Sequence, residues 1–352
     1  MKKVVIAVFC LALFHSIFFS QISDENQTKS KIYSESLPYE PTELPDQDAK
    51  NRKKTKKKKD KKANIRGIQT SNSLTIPVTV IDDQGRVKTD LKKSDFQIFV
   101  DDKEIVDFTL EDKAKTLNLV LLLDKSPSTW KQFRELQDLL IKMVEDLDPE
   151  DKVMLAEFDE RFKVRTKFTN DKQEVIKGIN EIKSFGGTGL YDAVRRIFKE
   201  EILDLEGRTA IVLITDGVDT TSQKSDYEKS LEEAEKYDIP VFVIYLDTFV
   251  PLDDTKKSKN PVPKTMTKEE YEIGKYYLTD LVRLSGGRVS LFNDFSGSQK
   301  GELPKFAREL RQKYYLKFSP IDAENSVERK QIKVRVNYPD LILFAKGSYI
   351  SN

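Results

Sequence analysis

The arrangement of apolar and polar positions changes style twice along the chain. From Leu74, the runs LTIPVTVID, DFQIFVD and EIVDFTL are short, rich in β-branched and aromatic residues, and separated by the turn-prone DDQG and DDK. They predict strands. The same style returns near the C-terminus in YYLKFSP, KQIKVRVNY and DLILFAKGSYI. Between these blocks the period differs. LNLVLLLD and TAIVLITD are apolar almost throughout, which suits parallel strands buried on both faces. After the first of them, Phe133, Leu136, Leu140, Met143 and Leu147 recur at spacings of three and four and predict a helix with one apolar face. VMLAEF predicts a strand, EVIKGINEI and LYDAVRRIF predict helices, and SLEEAEKYD with PVFVIYLD predicts a helix and a strand. YYLTDLVRLSGG, RVSLF and a last helix through Phe306 and Leu310 close the series. Alternation of this kind implies an α/β fold, a doubly wound and mainly parallel sheet with helices on both faces. The strand-rich flanks are expected to form a small β-sandwich beside it.

The first 72 residues follow neither pattern. MKK followed by VVIAVFCLALF is a basic start and an apolar run of signal-peptide length, short for a membrane span. Phe18, Phe19 and Ser20 do not make a small-x-small cleavage site, so an uncleaved N-terminal anchor stands as the alternative to a cleaved signal. Either way the chain is expected to be exported, to a periplasmic, cell-envelope or secreted location. Residues 22–72 lack apolar periodicity and are expected to be a disordered linker. Within it, Lys50–Lys62 holds ten basic residues and one acidic; this +9 in a chain of net +1 leaves −8 for the rest. The run is read as a solvated linker or as a contact to an anionic surface. Nucleic acid is not expected, because aromatics are not interleaved with the lysines. The expected organisation is 1–21 signal or anchor, 22–72 linker, 73–114 N-terminal β region, 115–315 α/β domain and 316–352 C-terminal β region packing with 73–114.

Composition then narrows the chemistry. The only Cys, Cys10, and the only His, His15, both lie in the export segment. Beyond it there can be no disulfide framework, Cys/His zinc site, thiol nucleophile or Ser-His-Asp triad. A bound metal must be held by oxygen, which points to magnesium, calcium or manganese.

Three separated pieces offer such oxygens: Asp124-Lys125-Ser126-Pro127-Ser128, the Gly-rich loop Gly186-Gly187-Thr188-Gly189, and Thr215-Asp216-Gly217. Asp124 and Asp216 each end a predicted buried strand, at the rim where doubly wound sheets bind ligands. Alternate spacing lets Asp124, Ser126 and Ser128 point to one side of a turn. Taken singly, either serine is explained as an ordinary helix cap. Two carboxylates with three hydroxyls would leave an ion with waters and a position open to an outside carboxylate.

These pieces, with FGGTGLYDAV and VLITDGVDT, resemble the metal-ion-dependent adhesion site of von Willebrand factor A domains. The resemblance covers roughly residues 115 to 315, and the flanking strands resemble those of an exported bacterial subgroup. It implies that Ser126, Ser128 and Thr188 coordinate the ion directly, while Asp124 and Asp216 act largely through bound waters. It also implies Mg2+, or Mn2+ or Ca2+, as cofactor and a partner protein presenting Asp or Glu. Pro127 departs from the Gly that many members carry there, and Pro251–Lys268 looks like a variable insertion. Trp130, Tyr191 and Asp219 are candidates for the ligand rim, whereas Asp192 reads as a first-turn helix residue. Two other functions stand as alternatives: an envelope scaffold that does not use the ion, and a metal-assisted hydrolase. The second lacks a His base and a distinct acid-base carboxylate pair.

Overall fold

Leu117–Asp124 (β6) is buried along its whole length and forms an inner strand of a six-stranded sheet. The computed structural model describes residues 34–36, 73–111, 116–202, 205, 207–249, 266–292, 309–310, 314–320 and 328–351. The export segment, the Lys50–Lys62 run and nearly all of the Pro251–Lys268 insertion lie outside the described residues. Across the sheet the order is Val289–Leu291 (β11), Val241–Tyr245 (β10), Arg208–Thr215 (β9), β6, Lys152–Phe158 (β7) and Phe162–Thr169 (β8). The first five strands are parallel. β8 pairs antiparallel with β7, so the sheet is mixed at one edge.

Strand β8 had no counterpart in the sequence reading. Its pattern, FKVRTKFT, places Lys163 and Lys167 at exposed positions, which masks the inward Phe162, Val164 and Phe168. Lysines of this kind are a common device for blunting an edge strand against unwanted pairing.

Trp130–Glu145 (α1) buries Phe133, Leu136, Leu140 and Met143 of the predicted stripe against one face of the sheet, and Leu147, just past the helix end, joins the same core. Lys172–Asn180 (α2) joins it there, started by Asp171, whose carboxylate accepts the N–H groups of Gln173 and Glu174. Leu190–Arg196 (α3), Tyr227–Glu235 (α4) and Lys268–Ser285 (α5) cover the opposite face. Along β6 the odd positions Leu117 to Leu123 meet one helix layer, while Val120 and Leu122 meet the other. This is the division that a pleated strand with apolar residues on both sides requires.

The flanks form two antiparallel sheets around a third core. One contains Leu74–Ile81 (β2), Phe108–Glu111 (β5), Tyr314–Phe318 (β12) and Ile342–Ala345 (β14). The other contains Phe96–Val100 (β3), Lys103–Ile105 (β4), Glu328–Val336 (β13), Ser348–Ser351 (β15) and Ser34–Glu35 (β1). EIVDFTL, expected as one strand, is split: β4 and β5 belong to different sheets, and Val106 at the corner is 80% exposed. A second correction concerns residues 22–72, where Ser34–Ser36 is not structureless. Ser34 and Glu35 pair with Val336 and Arg335 of β13, and Ser36 N–H donates to Val334 O at 2.7 Å.

A buried polar cluster joins the sandwich to the α/β domain. Glu235, at the end of α4, accepts two hydrogen bonds at its carboxylate from Arg329 of β13 and one from the Ser348 hydroxyl. Lys346, 1% exposed, donates to the carbonyls of Glu235 and Tyr237 and to Asp238 Oδ1.

Candidate functional site

The carboxyl ends of β6 and β9 lie side by side, so Asp124 and Asp216 emerge at neighbouring points of the sheet rim. Both residues are fully buried. Asp124 Oδ1 accepts the Ser126 N–H at 2.9 Å, and Oδ2 accepts the Thr215 hydroxyl at 2.7 Å. The Ser126 and Ser128 hydroxyls stand 3.1 Å apart. Thr129 locks the turn from beneath, its hydroxyl within 3.0 Å of both the Asp124 and Ser126 carbonyls. Asp216 Oδ1 accepts Val218 N–H at 3.2 Å, and Oδ2 accepts the Thr248 hydroxyl at 2.8 Å.

The electrostatics follow from this packing. Burial, then the nearby charge of Asp216, pushes Asp124 up to about 7, against the opposing pull of its hydroxyl and amide donors. Burial likewise raises Asp216, while Ser128, Thr248 and Val218 draw it back. Among the described residues neither carboxylate forms an ion pair with Lys or Arg. Lys125, inside the turn itself, points elsewhere: its ammonium lies 2.6 Å from Asp159 and 3.9 Å from Glu157.

The Gly-rich loop is set by its neighbours. Gly189 N–H donates to Asp159 O at 2.8 Å, and Phe185 N–H to Lys125 O at 3.1 Å. Thr188, 1% exposed, accepts Thr220 N–H and Thr221 N–H at its carbonyl, and its own N–H donates to the Thr220 hydroxyl at 2.8 Å. Gly186 adopts φ +71°, a left-handed value that lets the chain turn over Asp159. Asp124, Ser126 and Ser128 are thus linked by direct hydrogen bonds, Asp216 stands at the adjacent strand end, and Thr188 sits on the loop zipped to the segment that follows Asp216.

The rim candidates have structural contacts. Trp130 stacks on Phe133, one turn later, with ring centroids 5.5 Å apart. The Tyr191 ring packs edge-on against Tyr277 at 4.6 Å and Tyr227 at 6.1 Å. Asp219 caps α3 by accepting Tyr191 N–H at 3.0 Å and also accepts the Ser222 hydroxyl. Asp192 lies in the first turn of α3 and accepts the N–H groups of Gln223 and Lys224. Sequence reasoning missed Thr129 and Thr248 and gave Thr215, inside the Thr215-Asp216-Gly217 motif, no role of its own. Thr129 adjoins a recognised motif and Thr215 lies within one, where a buried hydroxyl next to a carboxylate is a readable signal. Thr248 carries no such mark.

A mainly parallel sheet with two carboxylates at adjacent strand ends, and hydroxyls from the following turn, defines the class. Residues 118–266 match the sequence model of the von Willebrand factor type A domain, and the chain carries that domain. A bovine (Bos taurus) protein, inter-alpha-trypsin inhibitor heavy chain H4, is 26% identical over 181 residues, a match taking in 44% of this chain and 19% of that one. The chain therefore spans about a fifth of the length of this curated relative. Among solved structures, conserved hypothetical protein BatB from Bacteroides thetaiotaomicron is similar at 19% identity and a TM-score of 0.42, covering 55% of this chain and 97% of that one. Proximal thread matrix protein 1 of the mussel byssus, solved with a zinc-occupied MIDAS motif, is 13% identical with a TM-score of 0.40, covering 59% of this chain and 49% of its own.

Proposed function

We propose that this chain is an exported binding protein that holds a divalent cation at Asp124, Ser126, Ser128, Thr188 and Asp216. The ion would be Mg2+, or Mn2+ or Ca2+, and would grip an Asp or Glu of a partner protein. One observation carries the reading: two fully buried carboxylates at the rim, held only by hydroxyls and amides among the described residues, with burial and mutual repulsion opposing their ionisation. Buried charge of that kind calls for a counter-charge. The donors available are hard oxygens, which fit a hard cation, and the chain has no His or Cys beyond residue 15 to offer a softer one.

A bound ion would supply positive charge and a coordination position for an outside carboxylate. The chain's own residues do the rest. Asp124 and Asp216 furnish the negative charge, Thr129 fixes the turn that carries the serines, and the Thr220 contacts fix the loop that carries Thr188. No acid-base pair is assigned, so binding rather than catalysis is the function proposed. Export rests on the sequence of residues 1–21; among the described residues no helix is long and apolar enough to cross a membrane.

The test is magnesium titration by calorimetry alongside magnesium-dependent partner capture from envelope extract. Asp124→Ala or Thr188→Ala should abolish both while the far-ultraviolet circular dichroism is retained. Capture that survives in either variant, or in chelator, overturns the proposal.

A further inference from the structure

One carboxylate of the candidate site is held from outside the three recognised motifs. Asp216 Oδ2 accepts the Thr248 hydroxyl at 2.8 Å, and that same hydroxyl lies 2.8 Å from the Tyr271 phenol. A threonine hydroxyl has one proton to give. With Asp216 ionised, the carboxylate takes it, so the second bond must run the other way, with Tyr271 donating to Thr248. The direction of the chain is fixed by counting protons: Tyr271 to Thr248 to Asp216.

The far end of this chain is firmly placed. Tyr271 is 7% exposed and lies in the first turns of α5, just after a capping box in which Thr267 and Glu270 satisfy each other's backbone N–H groups. Its ring meets Phe249 edge-on at 5.2 Å. Three residues further along the helix, α5 touches the loop that follows Asp216 backbone to backbone. A Cβ on Gly274 would fall 2.6 Å from Gly217 O, and one on Gly217, at φ +82°, would fall 3.0 Å from Gly274 O. Only glycine at both positions permits that seat. Helix α5 is therefore held in fixed relation to Asp216 at the glycine contact and at the hydroxyl chain.

We infer that Thr248 and Tyr271 are positioning residues for the cation: through Thr248, α5 fixes the orientation of the Asp216 carboxylate that the ion meets. This rests on the ion-binding reading above. Val218 N–H restrains one oxygen of Asp216 and Thr248 the other, so loss of the hydroxyl frees the group to rotate. Partners of this outer kind typically change metal affinity by roughly 10- to 100-fold when removed.

The experiment is magnesium titration of the full chain by calorimetry, for the wild type, Thr248→Val, Thr248→Ser, Tyr271→Phe and the double variant Thr248→Val/Tyr271→Phe. Thr248→Val should weaken binding by roughly 10-fold or more, Tyr271→Phe by less, and Thr248→Ser should restore nearly wild-type affinity. In the Thr248→Val background, Tyr271→Phe should cost nothing further, because its route to Asp216 is already cut. A second readout needs no ion: in chelator, hydrogen exchange at the Val218 amide should quicken in Thr248→Val and not in Thr248→Ser. Wild-type affinity in Thr248→Val, or an undiminished Tyr271→Phe effect in the double variant, overturns the positioning role alone. A wild-type protein that takes up no magnesium overturns the ion-binding reading and this inference with it.

Discussion

Two regions of this molecule bury carboxylates, and they resolve the cost in opposite ways. At the junction of the domains, Glu235 is gripped by the Arg329 guanidinium and the Ser348 hydroxyl, with Lys346 and Asp238 paired beside it. At the sheet rim, Asp124 and Asp216 have hydroxyl and amide donors but, among the described residues, no cation. The first cluster carries its own counter-charge and can be finished at folding. On the ion-binding proposal the second is completed by positive charge arriving from elsewhere, which would separate a structural carboxylate from a receptive one.

The largest expected effect is at the junction. Arg329→Ala leaves Glu235 buried without its partner and should cost about 3 kcal/mol of stability, the usual scale for a broken buried pair. Urea unfolding would measure it, and the loss should be the same with magnesium or chelator. A loss that magnesium reverses would erase the contrast between the two regions.

At the rim the sign should invert. Asp124→Asn removes a buried, repelled charge and should stabilise the chelated protein at pH 8 by about 2 kcal/mol, taking roughly 1.4 kcal/mol per pKa unit as the ceiling on each unit of the shift. Because the folded pKa of Asp124 lies above its ordinary value of 3.8, at about 7, the folded state holds its proton more tightly than the unfolded chain. Its contribution to stability is therefore full below pH 4 and lost as the pH rises through 7. The advantage of Asp124→Asn should shrink accordingly when the comparison is repeated at pH 5. An unchanged difference between pH 5 and pH 8 would show that Asp124 is not the repelled group.

The smallest test compares two hydroxyls that do the same job. Thr215 donates to Asp124 at 2.7 Å and Ser348 to Glu235 at 2.5 Å, both buried. Thr215→Val should cost about 2 kcal/mol, near the value for a hydrogen bond to a charged group, whereas Ser348→Ala should cost about 1 kcal/mol because Arg329 already satisfies Glu235. Equal losses in chemical denaturation would mean that the arginine makes no difference.

The sequence announced the site more fully than its supports. LNLVLLLD and TAIVLITD end on Asp124 and Asp216, and an apolar run that stops on a carboxylate is conspicuous at any distance from its partner. The parallel order of the sheet followed from the same runs. β8 escaped because Lys163 and Lys167 alternate with its apolar residues at an exposed edge. EIVDFTL looked continuous because nothing local marks the corner at Val106, where two sheets compete for the chain. Glu235 read as one more acidic residue on a charged helix; its partners Arg329 and Ser348 lie 94 and 113 residues later, beyond any periodicity. Thr248 and Tyr271 were hidden for the same reason. The proposed ligands cluster in motifs, but groups that hydrogen-bond them, such as Thr248, arrive through tertiary packing.

Strand β1 has a consequence of another kind. Ser36 and Leu74 both bond within the sandwich, so the two ends of the lysine-rich stretch lie on one body. Ser34–Ser36 is joined to β13 by a two-residue pairing, two hydrogen bonds at Ser36 and the Glu35–Arg335 ion pair. Association of separate chains costs on the order of 4 to 15 kcal/mol, more than so small a contact returns. After a single peptide-bond cleavage between Ser36 and Leu74, so small a contact would not by itself hold β1 on the sandwich. The basic residues of Lys50–Lys62 are trypsin sites at which such a cleavage can be made.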